Sequence, residues 1–182
     1  MKYDDASWHF DSTPEFEEED ERWVIAAAHI GVYLKWCLLQ GWAGQLHTEE
    51  ESDRAIVEQV KSGDMTGAEF LIQQCDCKFT DEDLNDEGNA FTAFYYADIY
   101  PEDLESVARD SILSAPESEY DFPALSEIID RQYAEWFAEN PLVAPPRIVT
   151  PAENPVAPES SSPPDLTEQT DSSTNKPWWK LW

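Results

Sequence analysis

Glycine, histidine, cysteine and positive charge are all scarce in this 182-residue chain. It has six glycines, three histidines, three cysteines and 11 lysines and arginines, against 39 acids. Six scattered glycines leave no Gly-rich phosphate cradle, and no Walker loop, HExxH helix or G-x-S-x-G elbow occurs. Phosphate neutralisation needs clustered bases, so a formal charge of -28 argues against direct DNA or RNA binding. The cysteine count is odd and no hydrophobic leader follows Met1. The reading is therefore free thiols in a reducing cytoplasm. Cys75 and Cys77 are one residue apart. A zinc site of the usual kind wants a two-residue spacer and a second pair, so no metal and no cofactor is expected.

The longest apolar stretch runs from Trp23 to Trp42, WVIAAAHIGVYLKWCLLQGW. Its alanines and leucines favour helix, no proline interrupts it, and Gly41 offers a stop. Crossing a bilayer takes roughly 20 mostly apolar residues. This run carries His29, Gly31 and Lys35, and a mid-helix charge costs about 2.5–3.5 kcal/mol on insertion scales. We read it as the central, nearly all-round buried helix of a helical domain.

Start signals for further helices follow. Thr48 with Glu51, Thr66 with Glu69, and Thr80 with Asp83 each have capping-box spacing. Met65 and Phe70 are placed as a hydrophobic staple. Gly63 ends the first of these helices. The third is expected to run through Leu84, Phe91, Phe94 and Tyr95, with a possible kink at Gly88. Pro101 opens a helix PEDLESVARDSIL, and Pro123 opens a last one. That one carries Leu125, Ile128, Ile129, Tyr133, Trp136 and Phe137 on one stripe. No segment shows a period-two strand. The fold class expected is mainly α: about six helices around one buried central helix, with an irregular N-terminus that has room for a short hairpin.

Composition changes at Pro141, and nine of the 13 prolines lie from there on. The expected organisation is an acidic helical domain over 1–140, a disordered Pro/Ser-rich linker over 141–175, and a Trp-rich peptide over 176–182. Residues 1–140 hold 34 acids and eight bases, so this domain carries most of the charge. A basic protein partner is favoured, since opposite fields steer association. The candidate partner-binding residues are Asp4, Asp5, Trp8, His9, Glu17, Glu18, Glu19, Asp20, Asp81, Glu82, Asp83, Asp86 and Glu87. The i,i+4 pairs Glu82–Asp86 and Asp83–Glu87 read as a solvated helix face. Trp178, Trp179, Lys180, Leu181 and Trp182 are a candidate anchor for a partner's groove, for a membrane interface, or for the domain itself.

Three stretches carry a resemblance: YDDASWH at 3–9, AHIGVYLKWCLLQG at 28–41, and MTGAEFLIQQCDCKFTDEDLNDEGNAFTAFYY at 65–96. Together they resemble a family of uncharacterised bacterial proteins, a domain of unknown function. The resemblance implies no activity and supplies no catalytic residues. It implies, loosely, kinship with small acidic immunity proteins of secreted toxins. The expected function is thus non-catalytic: an acidic interaction protein, most concretely a cytoplasmic inhibitor of a basic toxin. One alternative is a peripheral adaptor tethered by its tail to a membrane or a protein machine. Another is an enzyme with a site near Asp4, Asp5, His9 and His29.

Overall fold

In the computed structural model the residues described are 1–14, 18–108, 112–113 and 115–141. They form a mainly α structure of six helices with one small two-stranded sheet. The linker expected beyond Pro141 and the Trp-rich end lie outside the described residues.

The longest helix, α1, spans Glu19–Leu39 and is the central pillar. It begins one turn before Trp23, ahead of the apolar stretch. The reason is electrostatic: Glu19, Asp20 and Glu21 fill its first turn, where the helix dipole favours carboxylates. Gly41 stops it with φ +81, while the Trp42 N–H bonds the Cys37 carbonyl and the Gly41 N–H that of Leu38, a Schellman ending. Everything from Ile25 to Leu34 is buried. By length and composition α1 is apolar enough to cross a membrane, but 72 % of its apolar window is buried within this fold. Lys35 is settled inside the protein. Its Nζ lies 3.3 Å from Glu117 Oε1 and 4.6 Å over the Phe122 ring.

Two shorter helices follow, α2 at Glu51–Ser62 and α3 at Gly67–Gln74. The Thr48 box does not form. Thr48 turns its hydroxyl back to the Gly44 carbonyl, and the N-cap position of α2 falls two residues later on Glu50, whose side chain makes no capping bond. The Thr66–Glu69 box forms in full at α3. Helix α3 packs backbone to backbone on α1. A Cβ on Gly31 would sit 2.1 Å from the Ala68 nitrogen, and one on Gly67 1.9 Å from the Gly31 carbonyl oxygen. Both crossing points therefore require glycine. The buried Glu117 carboxylate accepts the Ala68 N–H at 2.9 Å and reinforces the start of α3.

The third box forms too, where expected, but it opens a different element. Thr80 and Asp83 close a 3₁₀ turn, Asp81–Asp83, after which Leu84 is extended. The α-helix α4 starts only at Asp86 and runs to Tyr95, capped by the Asn85 side chain. Gly88 therefore sits in its first turn, where its N–H meets that cap and its bare Cα lets Trp42 and Leu84 close in. No single helix carries Glu82 to Glu87, so the solvated face expected there does not exist.

Helix α5, Tyr100–Val107, has Pro101 in its first turn and ends earlier than the apolar pattern suggested. Helix α6, Phe122–Glu139, is capped by Asp121 and buries Leu125, Ile129 and Trp136. An aromatic core of Tyr33, Trp36, Trp42, Phe79, Phe91, Tyr95 and Tyr100 fills the space around α1.

The N-terminus makes a strand rather than a local hairpin. Strand β1, Lys2–Asp5, pairs antiparallel with β2, Lys78–Thr80, with a register irregularity between Lys2 and Asp4. Pairing across some 75 residues leaves no local turn signal, and each strand is too short to show alternation.

Candidate functional site

Strand β1 sets Asp4 opposite Phe79 and so aims its side chain into the protein. After it, Asp5 caps a 3₁₀ turn at Ala6–Trp8 through the Ser7 N–H, and the chain bends back at His9. His29 reaches the same point from the buried middle of α1. The three groups meet. His9 Nε2 lies 2.7 Å from Asp4 Oδ1, His29 Nε2 lies 3.5 Å from Asp4 Oδ2, and the two imidazoles touch edge to face with centroids 4.4 Å apart. A carboxylate only accepts, so His9 donates from Nε2. The Asp5 N–H also donates to Oδ1 at 2.7 Å, and the buried Tyr96 hydroxyl to Oδ2 at 2.9 Å.

Burial alone would raise the Asp4 pKa. The His29 and His9 hydrogen bonds and charges outweigh it, so the carboxyl sits well below its usual range. His29 is pushed the other way by burial, which outweighs Asp4, and its pKa falls below the ordinary 6.5. Its Nδ1 is buried with no hydrogen-bond partner. The cluster is thus an ionised carboxylate between imidazoles, one of them held neutral. Exposure differs sharply among the side chains: 27 % for His9 against 7 % for His29. The cluster reaches solvent on the His9 side.

Asp5, although adjacent, faces elsewhere. It bonds Lys2 at 2.7 Å and accepts the Ser7 hydroxyl at 2.6 Å. Ser7, His9 and Asp4 therefore make no nucleophile relay, because the serine proton goes to Asp5 and His9 Nε2 is spent on Asp4.

A second cluster has no counterpart in the sequence reading. His47, Cys75 and Asp83 converge, with His47 Nε2 2.9 Å from Asp83 Oδ1 and 3.9 Å from Cys75 Sγ. A cysteine–histidine relay needs thiol and acid on opposite ring nitrogens. Here both address Nε2. Burial, reinforced by the Asp83 charge, drives the Cys75 thiol well above its ordinary pKa and keeps it protonated. Asp83 Oδ2 is also occupied, accepting from the Thr80 N–H at 2.7 Å. The left-handed backbone at Asp76 (φ 51) and Cys77 (φ 60) turns the chain from α3 into β2 just beyond this thiol.

The expected partner-binding residues divide by exposure. Asp4, Asp5, Asp83 and Glu87 are buried. Each is held by an internal donor, in the case of Glu87 the Tyr133 hydroxyl. Glu18, Glu19, Asp20, Glu82 and Asp86 are exposed, and Asp81 pairs with the Met1 amine. Trp8 is 59 % exposed, with the Lys2 ammonium over its ring. The N-terminal segment is pinned instead by Ala6, whose N–H bonds the Cys77 carbonyl, and by Phe10 against Trp23 and Arg22. Glu17 and the tail residues Trp178, Trp179, Lys180, Leu181 and Trp182 lie outside the described residues.

The bases are mostly consumed within the fold. Lys2, Lys35, Lys61 and Lys78 pair with carboxylates of the same chain. Arg22 and Arg54 bond backbone carbonyls. No curated protein and no solved structure matches the chain. Residues 2–121, from β1 to the cap of α6, match the family model of the domain of unknown function DUF7832, and the chain belongs to that family.

Proposed function

We propose that this is a non-catalytic, acidic binding protein whose partner is a basic protein. The observation that carries the reading is the disposition of its cations. Six of the seven bases among the described residues are bonded internally, so the acids facing solvent have few competing positive charges. The proposed contact surface is reduced to the exposed part of the acidic set: Glu18, Glu19 and Asp20 at the start of α1, then Glu82 and Asp86, with Trp8 as an apolar anchor. Tryptophan is among the residues most enriched at binding hot spots. Inhibition of a basic toxin inside the producing cell is the most concrete form of this reading, in line with the kinship noted for the sequence motifs.

The full chain, immobilised, should retain the product of a neighbouring toxin-like gene. The association rate should fall at least tenfold between low and physiological salt. Reversing charge at Glu18, Glu19 and Asp20 together should slow association and weaken its salt dependence. A partner of acidic character, or binding indifferent to both salt and charge reversal, would end this reading.

A further inference from the structure

Two of the three histidines and a buried aspartate meet at one point, and interaction through an acidic surface makes no use of them. Their ligating atoms, with one taken from each residue, all lie within 4.8 Å of one another. Ligand atoms about 2.1 Å from a common ion, at tetrahedral or octahedral angles, stand roughly 3.0–3.4 Å apart. The separations His9 Nε2–Asp4 Oδ1, 2.7 Å, and His29 Nε2–Asp4 Oδ2, 3.5 Å, one to each carboxylate oxygen, bracket that spacing. The three residues come from three elements: a strand, a turn and the central helix. We propose that Asp4, His9 and His29 form a site for one divalent transition-metal ion, held by the Asp4 carboxylate and the Nε2 atoms of both imidazoles, and reached from solvent past His9.

The donor set selects the ion class. Two imidazoles and one carboxylate suit Zn²⁺, Fe²⁺ and their neighbours, and too few oxygens converge for Ca²⁺ or Mg²⁺. Three protein ligands leave at least one position for water or another small ligand. On binding, each imidazole presents the Nε2 lone pair and carries its proton on Nδ1. The Asp5 N–H and the Tyr96 hydroxyl already fix the carboxylate from behind, as outer donors do in metal centres. His29 lacks such support at Nδ1. A missing outer partner weakens affinity by about 10–100-fold, so the site is of moderate rather than extreme affinity.

The second cluster is the poorer candidate. The His47 and Asp83 side chains are only 4 % and 3 % exposed, and the other Asp83 oxygen is tied to Thr80. A bound ion there would take a thiolate, which gives the two sites different signatures.

The full chain is titrated calorimetrically with Zn²⁺ in excess Mg²⁺, which occupies exposed carboxylates without competing for imidazole. One equivalent should bind. His9→Ala, a change at a half-exposed turn, should weaken it at least tenfold, with unfolding curves confirming the fold. Cys75→Ser should leave it unchanged. Co²⁺ in place of Zn²⁺ should give a visible d–d spectrum without a thiolate charge-transfer band. Absence of any Mg²⁺-resistant binding overturns the proposal. So does binding that survives His9→Ala, or binding lost with Cys75→Ser and accompanied by a thiolate band.

Discussion

The Asp4–His9–His29 and His47–Cys75–Asp83 clusters each set a carboxylate against an imidazole Nε2, at 2.7 and 2.9 Å. They differ in what remains available. In the second, the acid spends one oxygen on its own capping box and the other on His47, and only a protonated thiol is left over. In the first, the acid lies between two imidazoles, and one of these faces solvent. The same carboxylate–imidazole pair thus makes a brace in one place and a prospective site in the other. The backbone contributes to the difference. Asp83 closes a capping box with its side chain, whereas Asp4 lies on a strand and accepts only the neighbouring Asp5 N–H from the backbone.

Helix α1 supplies His29 to the first cluster, Cys75 of the second follows the end of α3, and these two helices pack backbone to backbone. The largest expected effect is therefore at Gly31. Gly31→Ala puts a methyl inside the α3 backbone and should cost about 3 kcal/mol or more, the upper range for overpacking. Urea unfolding measures it, and an unchanged midpoint would mean that the two helices part freely.

Removing the acids probes both clusters. Asp83→Ala leaves the His47 and Thr80 donors buried without partners, at about 1–3 kcal/mol for each. Asp4→Ala leaves the Asp5 N–H, the Tyr96 hydroxyl and His29 without their acceptor and frees only His9 to turn to water, so it should cost at least as much. A clearly smaller loss would mean that those buried donors find other partners.

Acid should weaken the fold through the first cluster. His29 has a folded pKa below its unfolded value of 6.5, so the unfolded chain binds its proton first. Its contribution is present above pH 6.5 and fades as pH falls below it. Asp4 acts with the same sign further down, losing its contribution below the usual carboxylate range. Glu117, raised by burial, opposes them. It stabilises below its ordinary 4.5 and loses that contribution as pH rises through its folded value. Urea midpoints at pH 7.5 and 5.5 should therefore fall with pH, and the drop should shrink in a His29→Gln variant.

The smallest effect concerns the thiols. Cys37 is fully buried, and burial raises both it and Cys75 well above the ordinary thiol range. A thiol reagent at neutral pH should modify Cys77 first, Cys75 more slowly, and the fully buried Cys37 only at the rate of unfolding. Fast modification of Cys75 would show an activated thiol and recast the second cluster as reactive.

The helices were legible because their signals are local. An uninterrupted apolar run marked α1, the Thr66–Glu69 pair marked α3, and Pro101 and Pro123 marked the starts of α5 and α6. The same local rule failed at Thr48 and misjudged what Thr80 opens. Spacing says that a box can close, and neighbouring backbone decides whether it opens an α-helix or a single turn. The N-terminal motif with Asp4, Asp5 and His9 stood out by composition, and His29 did so by being polar inside an apolar run. Cys75, His47 and Asp83 gave no such sign, because they lie up to 36 residues apart and each has an ordinary local role.

What the residues alone determined is the mainly α class, the pillar at its centre and the surplus of negative charge. These follow from periodicity, capping chemistry and counting, none of which requires distant groups to meet. Which acids face water, which imidazoles share a carboxylate, and why Gly31 and Gly67 must lack side chains were decided only by tertiary structure. Pairing Lys2–Asp5 with Lys78–Thr80 and pressing α3 onto α1 are long-range events. They fix positions to within an ångström, and at that scale a carboxylate becomes a buried anchor or an exposed charge.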